Sequence, residues 1–232
     1  MWHIIVTSTP QLIEAGLKYT IPISVISFIL GLVLALVTAL IRISTKKGAF
    51  WILKGIARFY VWLFRSTPLL VQLFIVYFGL PYLKIAGLFP NGIQMSPVTA
   101  GILTFSLNTG AYCAETIRGA ILSIPNGQWE AAYSIGMTRT TVLRRIILPQ
   151  AVRVSLPPLA NSFIGLVKDT SLAASITIVE MFEVSQQIAA QNYQPLVMYC
   201  LVAALYAVVC TALSWLQGYL EKVTSRYVIT SN

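Results

Sequence analysis

Long apolar runs separated by short polar segments are the dominant pattern of this sequence. Residues 19–41 contain no charged side chain, and a helix of that length crosses the roughly 30 Å hydrocarbon layer of a bilayer at about 1.5 Å per residue. Similar runs occupy residues 59–80, 98–121, 146–168 and 194–215. The pattern therefore predicts an all-α membrane protein, residues 1–232, with about five transmembrane helices in a single domain.

Two of these predicted spans contain residues that a bilayer disfavours. In the second, Arg65 closely precedes Pro68, and proline removes a backbone donor, so we expect unwound backbone at this point. In the fourth, the uncharged part covers only residues 154–167. As a helix that part is only about 21 Å long, so we expect the helix to extend back to Ile146.

The remaining segments carry weaker patterns. Residues 1–18 are short and mixed, and residues 81–97 are predicted to be a turn-rich loop that includes Gly87. Apolar residues between the basic residues of 50–58 predict an amphipathic helix at the membrane interface. Glu180 and Glu183 interrupt an apolar pattern in residues 171–190, which predicts a surface helix outside the membrane.

Composition supports the membrane assignment, and charge placement adds an orientation. Charged residues make up 10% of the chain and mean hydropathy is +0.78, whereas soluble proteins average about 25% charged residues. Most basic residues fall on one side of the predicted membrane: Arg42, Lys46, Lys47, Lys54, Arg58, Arg139, Arg144, Arg145, Lys222 and Arg226. The opposite side receives Lys18, Lys84, Glu180 and Glu183. The positive-inside rule then predicts an external N-terminus and a cytoplasmic C-terminus.

Residues 125–145 are the most polar sizeable stretch and lie between two apolar runs. They predict a helix capped by Asn126, a turn at a left-handed Gly136, and a second helix capped by Thr138. One helical face carries Trp129, Ala132, Tyr133 and Gly136. We expect this face to contact a partner in the cytoplasm.

The same stretch resembles the EAA loop of ABC import permeases. The matching residues, at the spacing of that family, are Glu130, Ala131, Ala132, Gly136, Ile146, Leu148 and Pro149. Three further stretches, which begin at Arg65, Asn108 and Val167, are similar to the polar amino acid branch of the family. This branch contains the histidine, glutamine, arginine and cystine permeases, and the likeness extends from Tyr19 to the C-terminus.

The resemblance implies the type I ABC importer permease fold, with residues 125–145 as a coupling segment that docks on a cytoplasmic ATPase. The expected coupling residues are Trp129, Glu130, Ala131, Ala132, Tyr133 and Gly136. The implied partners are an ATPase dimer that binds ATP and Mg²⁺, a second permease subunit that is a copy or a paralogue, and an extracytoplasmic solute-binding protein. The implied substrate is a polar amino acid, with cystine favoured, imported across the bacterial cytoplasmic membrane by alternating access.

The chain itself contains no recognisable catalytic machinery. It has no phosphate-binding G-x-x-x-x-G-K-[ST] motif, no His or Cys cluster at metal-ligand spacing, and no nucleophile with an adjacent base. We therefore expect neither an enzyme nor a cofactor in this chain. DNA reading by the helical pair is disfavoured because spans fix both of its ends.

Polar residues inside the predicted spans are the candidates for a substrate pathway, because ionisable groups in a bilayer are costly. They are Arg65, Thr67, Gln72, Asn108, Tyr112, Glu115, Lys168 and Asp169. Two readings stay open from spacing alone. Glu115 lines the pathway or forms a structural ion pair with Arg118, and the break at Pro68 is a gate or a packing kink.

Two other protein classes fit the apolar pattern. An ion-coupled secondary amino acid transporter would more often show an internal repeat, which this sequence lacks. A channel or a non-transporting membrane scaffold would need no coupling segment. Purification together with an ATP-hydrolysing subunit distinguishes an ABC permease from both.

Overall fold

The computed structural model describes residues 2–44, 48, 50–84, 90 and 92–225, with backbone only for residues 223–225. This part of the chain is helical and contains no strand. Its helices are α1 Trp2–Ala15, α2 Ile21–Ile43, α3 Phe50–Ser66, α4 Leu69–Phe74, α5 Pro97–Leu122, α6 Asn126–Ser134, α7 Arg139–Val142, α8 Leu148–Asp169, α9 Met181–Asn192 and α10 Pro195–Ser225. The predictions made for Lys46, Lys47, Gly87 and Arg226 fall outside the described residues.

The first span is the end of a much longer helix. A wide π-helical turn, Gly16–Thr20, joins α1 to α2, and the helix runs without interruption for 42 residues, Trp2–Ile43. Residues 1–18, to which the sequence pattern assigns no element, are therefore helical. Glu14 and Lys18 end the apolar run in the sequence, but Leu12 is buried against Met181 and Met198, and this packing keeps α1 helical.

The second span is bent sharply where the sequence predicts unwound backbone. Phe50–Ser66 and Leu69–Tyr82 meet at 110° on either side of Thr67 and Pro68. The break at Pro68 is confirmed. Residues 50–58 are helical as predicted, but they form one helix, α3, with the first half of the predicted second span. Their position at the membrane interface stays a prediction.

Helix α5 is the centre of the bundle and packs most closely against α2. Its bounds, Pro97–Leu122, match the predicted residues 98–121 within a residue at each end. A Cβ added at Gly31 of α2 would lie 3.1 Å from the Ser106 carbonyl oxygen and 3.2 Å from the Gly110 amide nitrogen. Small residues at this crossing therefore let the two backbones approach closely, as is common between membrane helices.

The fourth span begins earlier than its uncharged part, as predicted. A continuous helix covers Arg139–Ile176, through a π-helical turn at Leu143–Ile147 and a 3₁₀ turn at Thr170–Ile176. Helix α9 follows at an angle of 52°. Glu180, predicted on an external surface helix, is fully buried instead, so that prediction is wrong for this residue.

By length and composition, two described helices are apolar enough to cross a membrane, Trp2–Ile43 and Pro195–Lys222, and four are counted when each bent pair is one span. Helix α5 is outside that count because it carries polar residues such as Thr104, Ser106 and Thr109. These three side chains are buried. The predicted total of five spans, which includes α5, stays a prediction.

Candidate functional site: a polar cavity and a coupling segment

Two amide side chains stabilise the break between α3 and α4. Pro68 has no N–H, so the Phe64 carbonyl lacks the donor that residue 68 would supply in a continuous helix. The Gln72 side-chain nitrogen donates to that carbonyl at 3.0 Å and to the Thr67 hydroxyl at 2.8 Å. Asn108 of α5 donates to the Gln72 amide oxygen at 2.9 Å. These hydrogen bonds provide donors for the carbonyl that the break leaves without a helical partner. The bend is therefore fixed by specific side chains.

A cavity of about 350 Å³ opens beside this break. It is lined by Thr67, Pro68, Leu69, Asn108, Thr109, Tyr112, Ser162, Gly165, Leu166, Asp169 and Leu172. The α3–α4 junction, α5 and the end of α8 thus supply hydroxyl and amide groups, and Asp169, the only aspartate in the sequence, supplies a carboxylate. A small concave site with a few convergent polar groups is typical of a ligand-binding position.

Of the two basic residues near the cavity, Arg65 lies at its edge and Lys168 lies outside its lining. The Arg65 guanidinium carbon lies 5.5 Å from the centroid of the Tyr112 ring, which places a positive charge at the cavity edge. Lys168 precedes Asp169 but is not part of the lining. Consecutive helical residues do not share a face, which separates these two side chains as the sequence predicts.

Gln72 and Glu115, both predicted to line the pathway, are placed elsewhere. Gln72 is buried and its amide is committed to the break, so it supports the cavity without lining it. The Glu115 carboxylate pairs with Arg42 at the end of α2 and with Arg118 one turn along α5. The structural ion pair left open by the sequence is therefore present, and it has a third member.

The turn of the coupling segment has the backbone that the sequence predicts. Gly136 has φ of +80°, and its N–H donates to the Tyr133 carbonyl at 2.9 Å while the Met137 N–H donates to the Ala132 carbonyl at 3.1 Å. This pair of bonds is the Schellman arrangement, which needs a left-handed residue at this position. Thr138 caps α7 as predicted, whereas Asn126 is the first residue of α6 and does not cap it.

The predicted contact face of the coupling segment is only partly exposed, because Tyr133 and Gly136 are exposed whereas Ala132 and Trp129 pack inward. Ala132 is only 3% exposed and packs with Ile121, Val142 and Ile147, and Trp129 packs against the same cluster. Both residues therefore anchor the segment to α5 and α8. The residues left exposed to a partner include Glu130, Ala131, Tyr133 and Ile135.

The coupling segment also contacts the end of α2. The Arg139 guanidinium donates to the Ile43 carbonyl oxygen at 3.3 Å, and Ile43 packs against the buried cluster. Since Arg42 is held by Glu115, the end of α2 is joined to both α5 and the coupling segment. Movement of the segment would therefore act on three helices, of which α5 and α8 line the cavity.

A family model described as "Binding-protein-dependent transport system inner membrane component" matches residues 31–226. The chain belongs to this family. The L-cystine transport system permease protein TcyB of Bacillus subtilis is 45% identical over 228 residues, which are 98% of this permease and 92% of the relative. The glutamine transport system permease protein GlnP of Escherichia coli K12 is 38% identical, over 95% of this permease and 96% of the relative.

A solved structure supports the fold assignment. A crystal structure of an amino acid ABC transporter with histidines superposes with a TM-score of 0.82 at 31% identity, over 94% of this permease and 95% of that chain. The predicted type I ABC importer permease fold is therefore confirmed. The protein is the transmembrane subunit of an ABC importer in the bacterial inner membrane. ATP hydrolysis belongs to a separate subunit, and a substrate-binding protein is a further partner of the system.

The sequence analysis missed part of the cavity lining of the permease. Ser162 and Gly165 line it together with Asp169, at steps of three and four along α8, and this helical spacing was a usable signal. The burial of Glu180 had no comparable signal, because only two of its three hydrogen-bond donors are local and the third, the Tyr206 hydroxyl, is supplied by a distant helix. Among the described residues, no group of three His, Cys, Asp or Glu side chains is placed to hold a metal ion.

Proposed function

We propose that the permease imports a polar amino acid, with L-cystine favoured, and that the cavity beside Pro68 lies on its path. The 45% identical relative is named as an L-cystine permease and another relative as a glutamine permease, which supports an amino acid as the substrate class. The observation that carries the proposal is the cavity itself, with Asp169 facing a set of neutral hydrogen-bonding groups and Arg65 at its edge.

The cavity offers a complementary partner for each end of an amino acid zwitterion. The Asp169 carboxylate would receive the ammonium group, and Arg65 would receive the carboxylate, because charge-assisted hydrogen bonds are the strong ones. Asn108 and Tyr112 would hydrogen-bond the polar atoms between them. The rigid break held by Gln72 keeps Thr67 and Pro68 at the cavity wall.

Energy would enter through the coupling segment. We propose that two ATPase subunits bind ATP and Mg²⁺, close together, and shift the coupling segments of two permease subunits, which are copies or paralogues. The attached ends of α2, α5 and α8 would then change the side of the membrane to which the cavity opens. The nucleotide thus biases an equilibrium between inward- and outward-facing states. The orientation proposed for this cycle has the N-terminus outside and the C-terminus inside.

Uptake by the reconstituted complex tests this function. The permease, its ATPase and its binding protein are placed in proteoliposomes, and uptake of labelled L-cystine, L-glutamine, L-arginine and L-histidine is measured with ATP inside. Among these four amino acids, we expect L-cystine to be taken up fastest. Uptake should stop when ATP is replaced by a non-hydrolysable analogue. Uptake that instead follows an ion gradient and ignores ATP would support a secondary transporter and contradict the proposal.

A further inference from the structure

Another cavity, of about 320 Å³, lies where the coupling segment meets the ends of α2 and α5. We call it the interfacial pocket, and it is lined by Leu40, Ile43, Ser44, Ile121, Leu122, Trp129, Arg139, Thr140 and Leu143. Leu40 and Ile43 belong to the last turn of α2, and Ile121 and Leu122 belong to the last turn of α5. The pocket therefore lies at the ends of two predicted spans, beside the coupling segment.

The lining of the interfacial pocket is mostly apolar and carries one positive charge. Arg139 is the only charged residue among the described lining residues. Its guanidinium donates to the Ile43 carbonyl oxygen at 3.3 Å, which uses one of its five N–H groups. Both ion pairs of the described residues involve Glu115, so Arg139 has no carboxylate partner among them. The pocket thus offers a positive donor group beside an apolar surface.

An anionic phospholipid has the two properties that this lining complements. A guanidinium binds phosphate through paired hydrogen bonds, and an acyl chain fits an apolar wall. Basic pockets between membrane helices on the cytoplasmic side bind the headgroups of such lipids. Trp129 in the lining agrees with this position, because Trp rings favour the headgroup level of a bilayer. A small anion in water would gain nothing from the apolar wall, so the lining favours a lipid.

The interfacial pocket is separate from the surface proposed to meet the ATPase. Tyr133 and Ile135 are exposed on the coupling segment and do not line the pocket. Trp129, which lines it, packs against the buried cluster that holds the segment to α5 and α8. Leu122 is 62% exposed and Arg139 is exposed as well, so the pocket is open to its surroundings. A lipid can therefore occupy it while the ATPase contacts the other side of the segment.

We propose that the interfacial pocket binds an anionic phospholipid, with the phosphate at Arg139 and the first carbons of one acyl chain against Leu40 and Leu122. The cavity of about 320 Å³ is too small for a whole lipid, so the rest of the chains stays in the bilayer. The bound lipid bridges the end of α2 and the coupling segment and adds to the bond between Arg139 and Ile43. This site is additional to the transport function proposed above and does not depend on which amino acid is carried.

Native mass spectrometry of the purified permease–ATPase complex tests this site. The delipidated complex is titrated with phosphatidylglycerol and with phosphatidylcholine of the same acyl chains, in which an ammonium group offsets the phosphate charge. The variants are Arg139→Gln, Arg139→Lys and Thr140→Trp, of which the last fills the pocket without changing its charge. Arg144→Gln is the matched control, because Arg144 is an exposed arginine of the same continuous helix that does not line the pocket.

We expect the wild type to bind phosphatidylglycerol about tenfold more tightly than phosphatidylcholine, because its phosphate charge at Arg139 is not offset. Arg139→Gln should raise the Kd for phosphatidylglycerol about tenfold and leave that for phosphatidylcholine unchanged. Arg139→Lys should raise it about threefold, since lysine keeps the charge without the paired hydrogen bonds. Thr140→Trp should weaken both lipids, and it keeps the test valid should loss of the Ile43 bond disturb the segment. Arg144→Gln should keep the wild-type Kd.

Three results would overturn the inference. An equal loss of phosphatidylglycerol in Arg139→Gln and Arg144→Gln means general attraction to a basic surface and no site. Displacement of phosphatidylglycerol by an equal concentration of glycerol phosphate assigns the pocket to a free anion. Wild-type phosphatidylglycerol binding by Arg139→Gln or by Thr140→Trp leaves the pocket to another occupant, such as the second permease subunit. None of these results bears on amino acid uptake by the wild type, so they are distinguishable from failure of the proposed function.

Discussion

At the scale of single residues, the polar side chains within the spans divide into two groups. Thr67, Tyr112 and Asp169 face the cavity, whereas Gln72 and Glu115 are occupied by protein partners. The sequence identified all five, because polar residues stand out in apolar runs. It could not separate the groups, because the partners of Glu115 include a residue of another helix, 73 positions away.

The two carboxylates near the pathway should behave differently when neutralised. Asp169→Asn removes a charge-assisted contact to the substrate ammonium, so the substrate Kd of the purified complex should rise about tenfold or more. Glu115→Gln leaves the cavity untouched, so its Kd should stay within about twofold of wild type. A larger effect of Glu115→Gln than of Asp169→Asn on isothermal titration would contradict the assignment.

The main role of Gln72 should be to stabilise the folded permease. Gln72→Ala leaves the Phe64 carbonyl with only the long Asn108 contact of 3.4 Å, and an unsatisfied buried acceptor costs about 1–3 kcal/mol. We expect a lower melting temperature of the purified permease. Gln187→Ala, an exposed glutamine of α9 that bonds only to Glu183, is the control and should melt like wild type. Equal melting of all three proteins would refute this role.

At the scale of elements, the turn and one of the two helix caps of the coupling segment follow from local sequence, whereas the Asn126 cap and the buried face do not. The turn at Gly136 and the cap at Thr138 follow from the residues themselves, so the sequence predicted both. Ala132 and Trp129 were wrongly included in the exposed contact face, because helical spacing alone does not distinguish an outer face from an inner one. Only packing against α5 and α8 decides which side of α6 is buried.

Gly136 gives the clearest test of the coupling segment. A Cβ at Gly136 would meet no atom within 4 Å, so Gly136→Val is penalised by its backbone conformation alone, by about 1–2 kcal/mol or more. The valine variant should hydrolyse ATP with reduced amino acid uptake per ATP. Gly136→Asn, which tolerates left-handed backbone, should retain more of the coupling. Full coupling in the valine variant would show that this turn is not needed.

At the scale of the whole molecule, the pattern of apolar runs predicted the class and the central helix but not how the ends pack. Helix α5 matched its prediction because polar signals bound it on both sides. The long first helix was underestimated because α1 is held by buried contacts of Leu12 that the local hydropathy does not report. Glu180 was misplaced for a similar reason, since the Tyr206 hydroxyl that completes its set of donors lies 26 positions away.

The central claim is that the exposed side of the coupling segment meets the ATPase in the cytoplasm. Ile135 is 78% exposed on that segment, and Tyr193, at the end of α9, is 89% exposed on the face proposed to be external. A photo-crosslinking amino acid is placed at each position in turn in the membrane-embedded permease–ATPase complex. The account predicts a crosslink to the ATPase subunit from position 135 and none from position 193. A crosslink to the ATPase from position 193, or none from position 135, would contradict it.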